Sequence, residues 1–217
     1  NWMKTNLIKS NLFKNYNIKT LPYIININQN TVIKKNKKNK KNKKIILLFS
    51  ATSSVNYRKG FNYLVDAVNK YLDRNKFILY VIGDKPKLFN NVKIEKKFFG
   101  NIKSQSALKK IYSSSDIFVL PSIAESFGQV FIEAGSIGLP CICFKDTACT
   151  EIIKHKINGY SAKFKSSSDL AFGINWCRKN LLNSKSKNNI VNMTYKNFSS
   201  DKVIEKYIRY YQEVFSN

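Results

Sequence analysis

Two carboxylates eight residues apart, Glu125 and Glu133, flank the expected start of a helix near Phe127. Between them lie the backbone amides of Gly128, Gln129 and Val130, in the first turn, where helical N–H groups have no intrahelical partner. Glu125 stands on the loop before the helix and Glu133 in its second turn, roughly 12 Å further along at the ordinary helical rise. Amides and helix dipole together suit a diphosphate, and an ionised carboxylate on either side suits a hydroxylated ring. A nucleoside-diphosphate sugar has that layout. The same pair also reads more plainly, as a helix-start acid complementing the dipole and a solvated helix residue.

Other candidate residues follow strand-like runs. Arg58-Lys59 stands immediately before Gly60 and a helix start, and two cations added to free amides would make a phosphate site, although a lysine-rich chain also produces such a triplet by chance. Gly83, in Ile82-Gly83-Asp84, would let a ligand approach the backbone, or simply form a tight turn. Gly100-Asn101-Ile102 is similar. Cys141, Cys143, Cys149 and Cys177 lack the C-x-x-C spacing of a zinc or redox centre and read as small buried hydrophobes in a reducing compartment. With His155 the single histidine and no Asp-x-Asp pair, neither a metal site nor a Ser-His-Asp triad has material to be built from.

The elements that must position these groups follow from periodicity. Ile45–Ala51, Phe77–Gly83, Lys96–Gly100, Asp116–Ser122 and Pro140–Phe144 read as five strands, the first two as the continuous apolar runs of buried parallel strands. Phe61, Leu64, Val65, Val68 and Leu72 mark an amphipathic helix; Ser104–Ser113 and Phe127–Ile137 supply two more. Alternation of strand and helix predicts an α/β fold, a doubly wound parallel sheet over about residues 45 to 180. The remainder reads as helical, with stripes over Asp169–Lys179 and over Val203–Phe215. The first 44 residues resemble the end of a preceding domain, a connector and a loop.

Of the 217 residues 43% are apolar, and Lys+Arg exceed Asp+Glu by 38 to 13, a net charge of +25. That apolar fraction excludes a disordered basic arm. Eight of the eleven residues from Lys34 to Lys44 are lysine, a run expected to be a solvated loop. No apolar run is long enough for a membrane span, and the expectation is a cytoplasmic protein, with the inner face of an anionic membrane as a peripheral resting place. No helix-turn-helix, zinc-finger or RNA-binding signature accompanies the charge, so no specific nucleic acid is expected.

The run PSIAESFGQVFIEAGSIGLPCICF, with RKGF upstream and EIIKHKINGY downstream, resembles the carboxyl-terminal, nucleotide-sugar-binding domain of the family-4 glycosyltransferases, enzymes of GT-B architecture. The resemblance implies that Glu125 contacts the transferred sugar, Glu133 the ribose, Lys59 and Arg58 the diphosphate, and the amides after Phe127 the phosphates, with Gly100–Ile102 near the base. It implies transfer with retention, no metal or other cofactor, and an acceptor glycan or lipid-linked sugar held chiefly by an amino-terminal domain, in surface polysaccharide or glycolipid synthesis. The fragment alone would then be inactive. Three departures stand out: Ser50-Ala51-Thr52-Ser53 where many members carry Gly-Arg, Tyr23 and Asn26 in the connector, and Thr147-Ala148 before Glu151 where Gly-Gly is common. The alternatives are a nucleotide-sugar epimerase of the same fold and a basic module that binds polyanions through its lysines.

Overall fold

The computed structural model describes residues 2–25, 27, 44–51 and 57–216. The loop expectation for Lys34–Lys44 falls outside the described residues except for Lys44, as do Asn26 and residues 52–56. Six strands form one parallel sheet: β1 (Ile45–Ala51), β2 (Phe77–Gly83), β3 (Glu95–Phe98), β4 (Ile117–Val119), β5 (Cys141–Phe144) and β6 (Gly159–Ala162). Their order is β3-β2-β1-β4-β5-β6. The chain starts in the middle, winds outward to one edge, then returns and winds to the other.

Burial explains the strand residues. β1 is buried from Ile46 onward, and Leu47, Leu48, Phe49, Phe77, Leu79 and Phe118 are fully enclosed, as strands covered on both faces require. The edge strand β3 reads Glu-Lys-Lys-Phe and is mostly exposed, and its lysines discourage pairing with another chain. β6 corrects the expectation that everything after the fifth strand is helical. Its sequence, Gly-Tyr-Ser-Ala, has no apolar run; it is a strand because it lies so close to β5 that a Cβ on Gly159 would stand 1.9 Å from the Cys141 carbonyl oxygen.

Helices cover both faces. α2 (Phe61–Lys70) buries Phe61, Leu64, Val65, Ala67 and Val68 and packs beside α5 (Ser167–Asn180). On the opposite face α3 (Gln105–Ser114) and α4 (Gln129–Ser136) complete their crossovers, and α6 (Ser184–Phe198) packs on α4 so tightly that a Cβ on Gly135 would meet Thr194 Oγ1 at 2.5 Å. The aromatic stripe expected on the last helix has a different use. α7 (Ser200–Phe215) buries only Val203; its Tyr207 hydroxyl donates to the Pro22 carbonyl at 3.2 Å and Glu213 pairs with Lys19 at 3.0 Å, so it grips the connector rather than the sheet. At the amino end, α1 (Trp2–Lys9) meets the turn after β5: the Trp2 indole donates to the Asp146 carbonyl at 2.9 Å. No helix among the described residues is long and apolar enough to cross a membrane.

Candidate functional site

β1 and β4 are neighbours whose onward helices leave on opposite faces, so the loops beyond their carboxyl ends frame the crevice of a doubly wound sheet. Those loops are fastened to each other. The Ile123 N–H donates to the Arg58 carbonyl at 2.8 Å, and Gly60, at a left-handed φ of 70°, lies where a Cβ would stand 1.9 Å from the Pro121 carbonyl oxygen. No other residue fits there. The close approach brings the 3-10 turn Tyr57–Lys59 against the following loop, and Lys59 Nζ reaches Glu125 Oε2 at 2.8 Å.

That pair is enclosed on most sides, with side-chain exposures of 28% for Lys59 and 14% for Glu125. An ammonium has three donors, and the Glu125 bond uses one. Beside the pair, Gly128 precedes α4 at a φ of 87°, and no side chain caps the helix. The left-handed turn is needed because the chain must reverse direction tightly against Phe131, whose ring would lie 2.8 Å from an added Cβ. Gln129 is exposed and Val130 half-buried in the first turn, and the half-buried Phe127 is held edge-on by Tyr23 at 5.4 Å and Phe198 at 6.4 Å. A polar ligand at this helix tip would find amides, a cation and a carboxylate together.

Glu133 is placed apart from that pair, one turn along α4, facing the cleft between α3 and α4. This cavity of about 290 Å³ is lined by Leu108 and Tyr112 of α3, Gln129 and Glu133 of α4, and Ile24 and Ile25 of the connector. Half-burial raises the Glu133 carboxyl above its ordinary range, and the neighbouring Tyr112 hydroxyl opposes that rise. The two weaker glycine loops prove to be one rim: the Gly83 N–H donates to the Gly100 carbonyl at 3.0 Å, and the Asn101 side-chain amide donates to Asp84 at 2.7 Å. Ile102 is half-buried against the core. The exposed Arg58 enters the site's geometry through its backbone carbonyl.

A wider cavity of about 550 Å³ lies beyond Phe127, between the amino-terminal segment, the Ala148–Glu151 turn and α6. The loop that carries Thr147-Ala148 is held by its own side chains. Asp146 takes the left-handed turn at a φ of 61°, and the buried Thr147 hydroxyl donates to the Phe144 carbonyl at 3.0 Å. All four cysteines are buried and unpaired. Among the described residues no three His, Cys, Asp or Glu side chains gather where a metal ion could be held.

Sequence reasoning placed Lys59, Glu125 and Gly128 near one another but missed what fixes them. Gly60 was visible only as a helix start, and nothing local reveals that Pro121 crowds it. Nothing in the sequence sets Tyr112 apart, because one tyrosine in a helix looks like core.

An open parallel sheet of this order, with helices on both faces, is a Rossmann-like α/β domain, and its fold is similar to those of GT-B glycosyltransferases. Residues 30–197 match the glycosyl transferases of group 1, and the chain belongs to that family. It is 28% identical over 171 residues to an uncharacterized glycosyltransferase of Methanocaldococcus jannaschii, a match covering 73% of this chain and 43% of that protein. The chain thus spans less than half the length of that relative. Among solved structures, a glycosyltransferase from Rickettsia africae superposes with a TM-score of 0.79 at 20% identity, over 100% of this chain and 62% of that one. Anabaena HepE, crystallised with UDP-glucose, superposes with a TM-score of 0.65 at 19% identity, over 78% and 49% of the two chains.

Proposed function

We propose that this chain is the donor-binding part of a retaining glycosyltransferase of the family-4 type, and that it corresponds to the carboxyl-terminal domain of a GT-B enzyme. A nucleoside-diphosphate sugar would lie across the α4 tip, its diphosphate on the amides after Phe127 and on Lys59 and Arg58, its sugar toward Glu125 and its ribose toward Glu133. The observation that carries this reading is the Lys59–Glu125 pair at 2.8 Å beside an uncapped helix start at the point where the sheet's winding reverses. Lysine keeps two donors for phosphate oxygens while Glu125 holds it in place, so charge developing on the leaving diphosphate meets preorganised donors. The UDP-glucose bound by Anabaena HepE, a protein of the same fold, supports the choice of ligand class.

The acceptor, a glycan or lipid-linked sugar, is assigned to an amino-terminal domain beyond this chain, so the chain by itself would bind donor without turning it over. The net charge of +25 supports work at the anionic inner face of a membrane, in polysaccharide or glycolipid synthesis. A calorimetric panel of UDP-, GDP- and ADP-sugars tests the reading. One of them should bind saturably, and Lys59→Ala and Glu133→Ala should weaken it. Binding that collapses with salt and ignores Glu125→Ala would instead mark a polyanion-binding module, and conversion of donor alone to its epimer by the longer parent protein would mark an epimerase.

A further inference from the structure

Beneath Glu133 stands a tyrosine whose hydroxyl packing does not explain. Tyr112 is 3% exposed, and its ring is locked in an aromatic column: it stacks on Phe118 of β4 at 5.8 Å with planes 18° apart, and Phe118 in turn meets Phe131 of α4 edge-on at 5.4 Å. A helical side chain leans toward its helix's amino terminus, and here that lean carries the phenol oxygen toward the sheet's ligand-binding edge. There the Glu133 carboxylate and the Ser50 hydroxyl lie beside it. The phenol oxygen is buried, yet it closes no hydrogen bond of good geometry among the described residues. Burying a hydroxyl without a partner is costly, and phenylalanine would fill the same column without that cost.

We propose that Tyr112 is the positioning residue for Glu133: its rigid phenol donates to the carboxylate and fixes the orientation in which that carboxylate accepts from the ribose hydroxyls of a nucleoside diphosphate. The inference rests on the donor-site reading above and adds to it the group that aims the ribose acid. Three observations carry it: the shared cavity, the immobilised ring, and the buried hydroxyl whose polar neighbours are the Glu133 carboxylate and the Ser50 hydroxyl. The titratable groups around Glu133 are Tyr112 and Lys109 of α3, with the Cys141 thiol in the sheet below near Tyr112. A donated hydrogen bond favours the ionised carboxylate, whereas burial favours the neutral acid. Removing the phenol oxygen should therefore raise the Glu133 pKa as well as loosen its aim.

The experiment measures binding of UDP, GDP and ADP, and of their 2′,3′-dideoxy counterparts, to the wild-type chain, Tyr112→Phe, Glu133→Gln and the double variant between pH 4 and 8. For whichever diphosphate binds tightest, Tyr112→Phe should weaken binding about three- to tenfold, the range for one hydrogen bond to a charged or positioned group. It should leave 2′,3′-dideoxy binding unchanged, move the acid-side loss of binding to higher pH, and keep or raise the thermal midpoint. In the Glu133→Gln background it should add nothing. If Glu133→Gln weakens binding while Tyr112→Phe changes neither affinity nor acid limb, Tyr112 is only core and the inference is overturned. If Glu133→Gln itself leaves binding untouched, the donor-site reading fails and takes this inference with it.

Discussion

From α2 to α6, the helices of the sheet domain start in two ways; α7, which grips the connector, opens on Ser199 with neither a side-chain cap nor a left-handed glycine. α3, α5 and α6 are each capped by a side chain: Ser104 accepts from the Ala107 N–H, Ser166 from Asp169 and Asn183 from Ser186. α2 and α4, the helices that follow the two central strands, open instead on left-handed glycines, Gly60 and Gly128, with no side-chain cap. A cap is worth about 1 kcal/mol, and a chain rich in Ser and Asn has caps to spare. Doing without them leaves backbone donors unsatisfied at the crevice, where a ligand can use them. On the proposed function, the contrast separates helix starts that stabilise the fold from helix starts that would receive an anion.

Gly60→Ala should break the comparison most severely. The new methyl would collide with the Pro121 carbonyl at 1.9 Å and sit on a left-handed backbone, so strain and overpacking together should cost roughly 2–5 kcal/mol. Urea unfolding of the variant should show that loss, and a midpoint within error of wild type would mean the two loops are not fastened as described. Gly128→Ala is milder, because the group it meets is the edge of the Phe131 ring, which can swing. About 1–2 kcal/mol of stability should go. Its larger signature should be weaker nucleotide-sugar binding, since the strain falls on the amides proposed to receive the phosphates.

Lys59→Ala should leave folding nearly intact and reduce affinity for the bound nucleotide sugar about tenfold, the value of one charge-assisted contact. Calorimetry at two salt concentrations checks it. The ratio of the two wild-type affinities should exceed that of the variant, because a phosphate contact made by a cation is salt-sensitive. An unchanged affinity in Lys59→Ala would reduce its bond to Glu125 to a surface ion pair with no ligand in view.

What could be read from the sequence and what could not divide along physical lines. β1, β2 and α2 announce themselves because each buries its residues through its own pattern: continuous apolar runs for strands covered on both faces, a three-and-four stripe for the helix. β6 does not, because its strand character comes from pairing with β5 and not from Gly-Tyr-Ser-Ala itself. α6 was covered by the helical expectation for the remainder of the chain but shows no clear stripe of its own, because its buried face, Ile190, Val191, Thr194 and Tyr195, is diluted by lysine and asparagine. That Glu125, Lys59 and Gly128 would lie together was legible from their places in the loops after parallel strands and from the family resemblance, and the structure does bring the three together. The cleft that takes Glu133 was not, since it depends on the connector residues Ile24 and Ile25, distant in sequence, closing over α3 and α4.

The smallest effects test the other half of the contrast. Asn183 Oδ1 accepts from the Ser186 N–H at 2.8 Å, and Ser166 Oγ from the Asp169 N–H at 3.2 Å, while Asp169 itself accepts from the Tyr160 hydroxyl and the Lys163 N–H. Both caps lie on segments that follow β6, outside the loops of the central crevice. Asn183→Ala and Ser166→Ala should each cost about 1 kcal/mol of stability, read as a shift in urea midpoint with an unchanged slope. Ser166→Ala should fall at the lower end, because Asp169 keeps its other bonds and goes on anchoring the first turn of α5. Neither should alter nucleotide-sugar affinity. If removing these remote caps weakened the ligand as much as Gly128→Ala does, affinity would be tracking global stability, and the uncapped start of α4 would lose its claim to be the anion site.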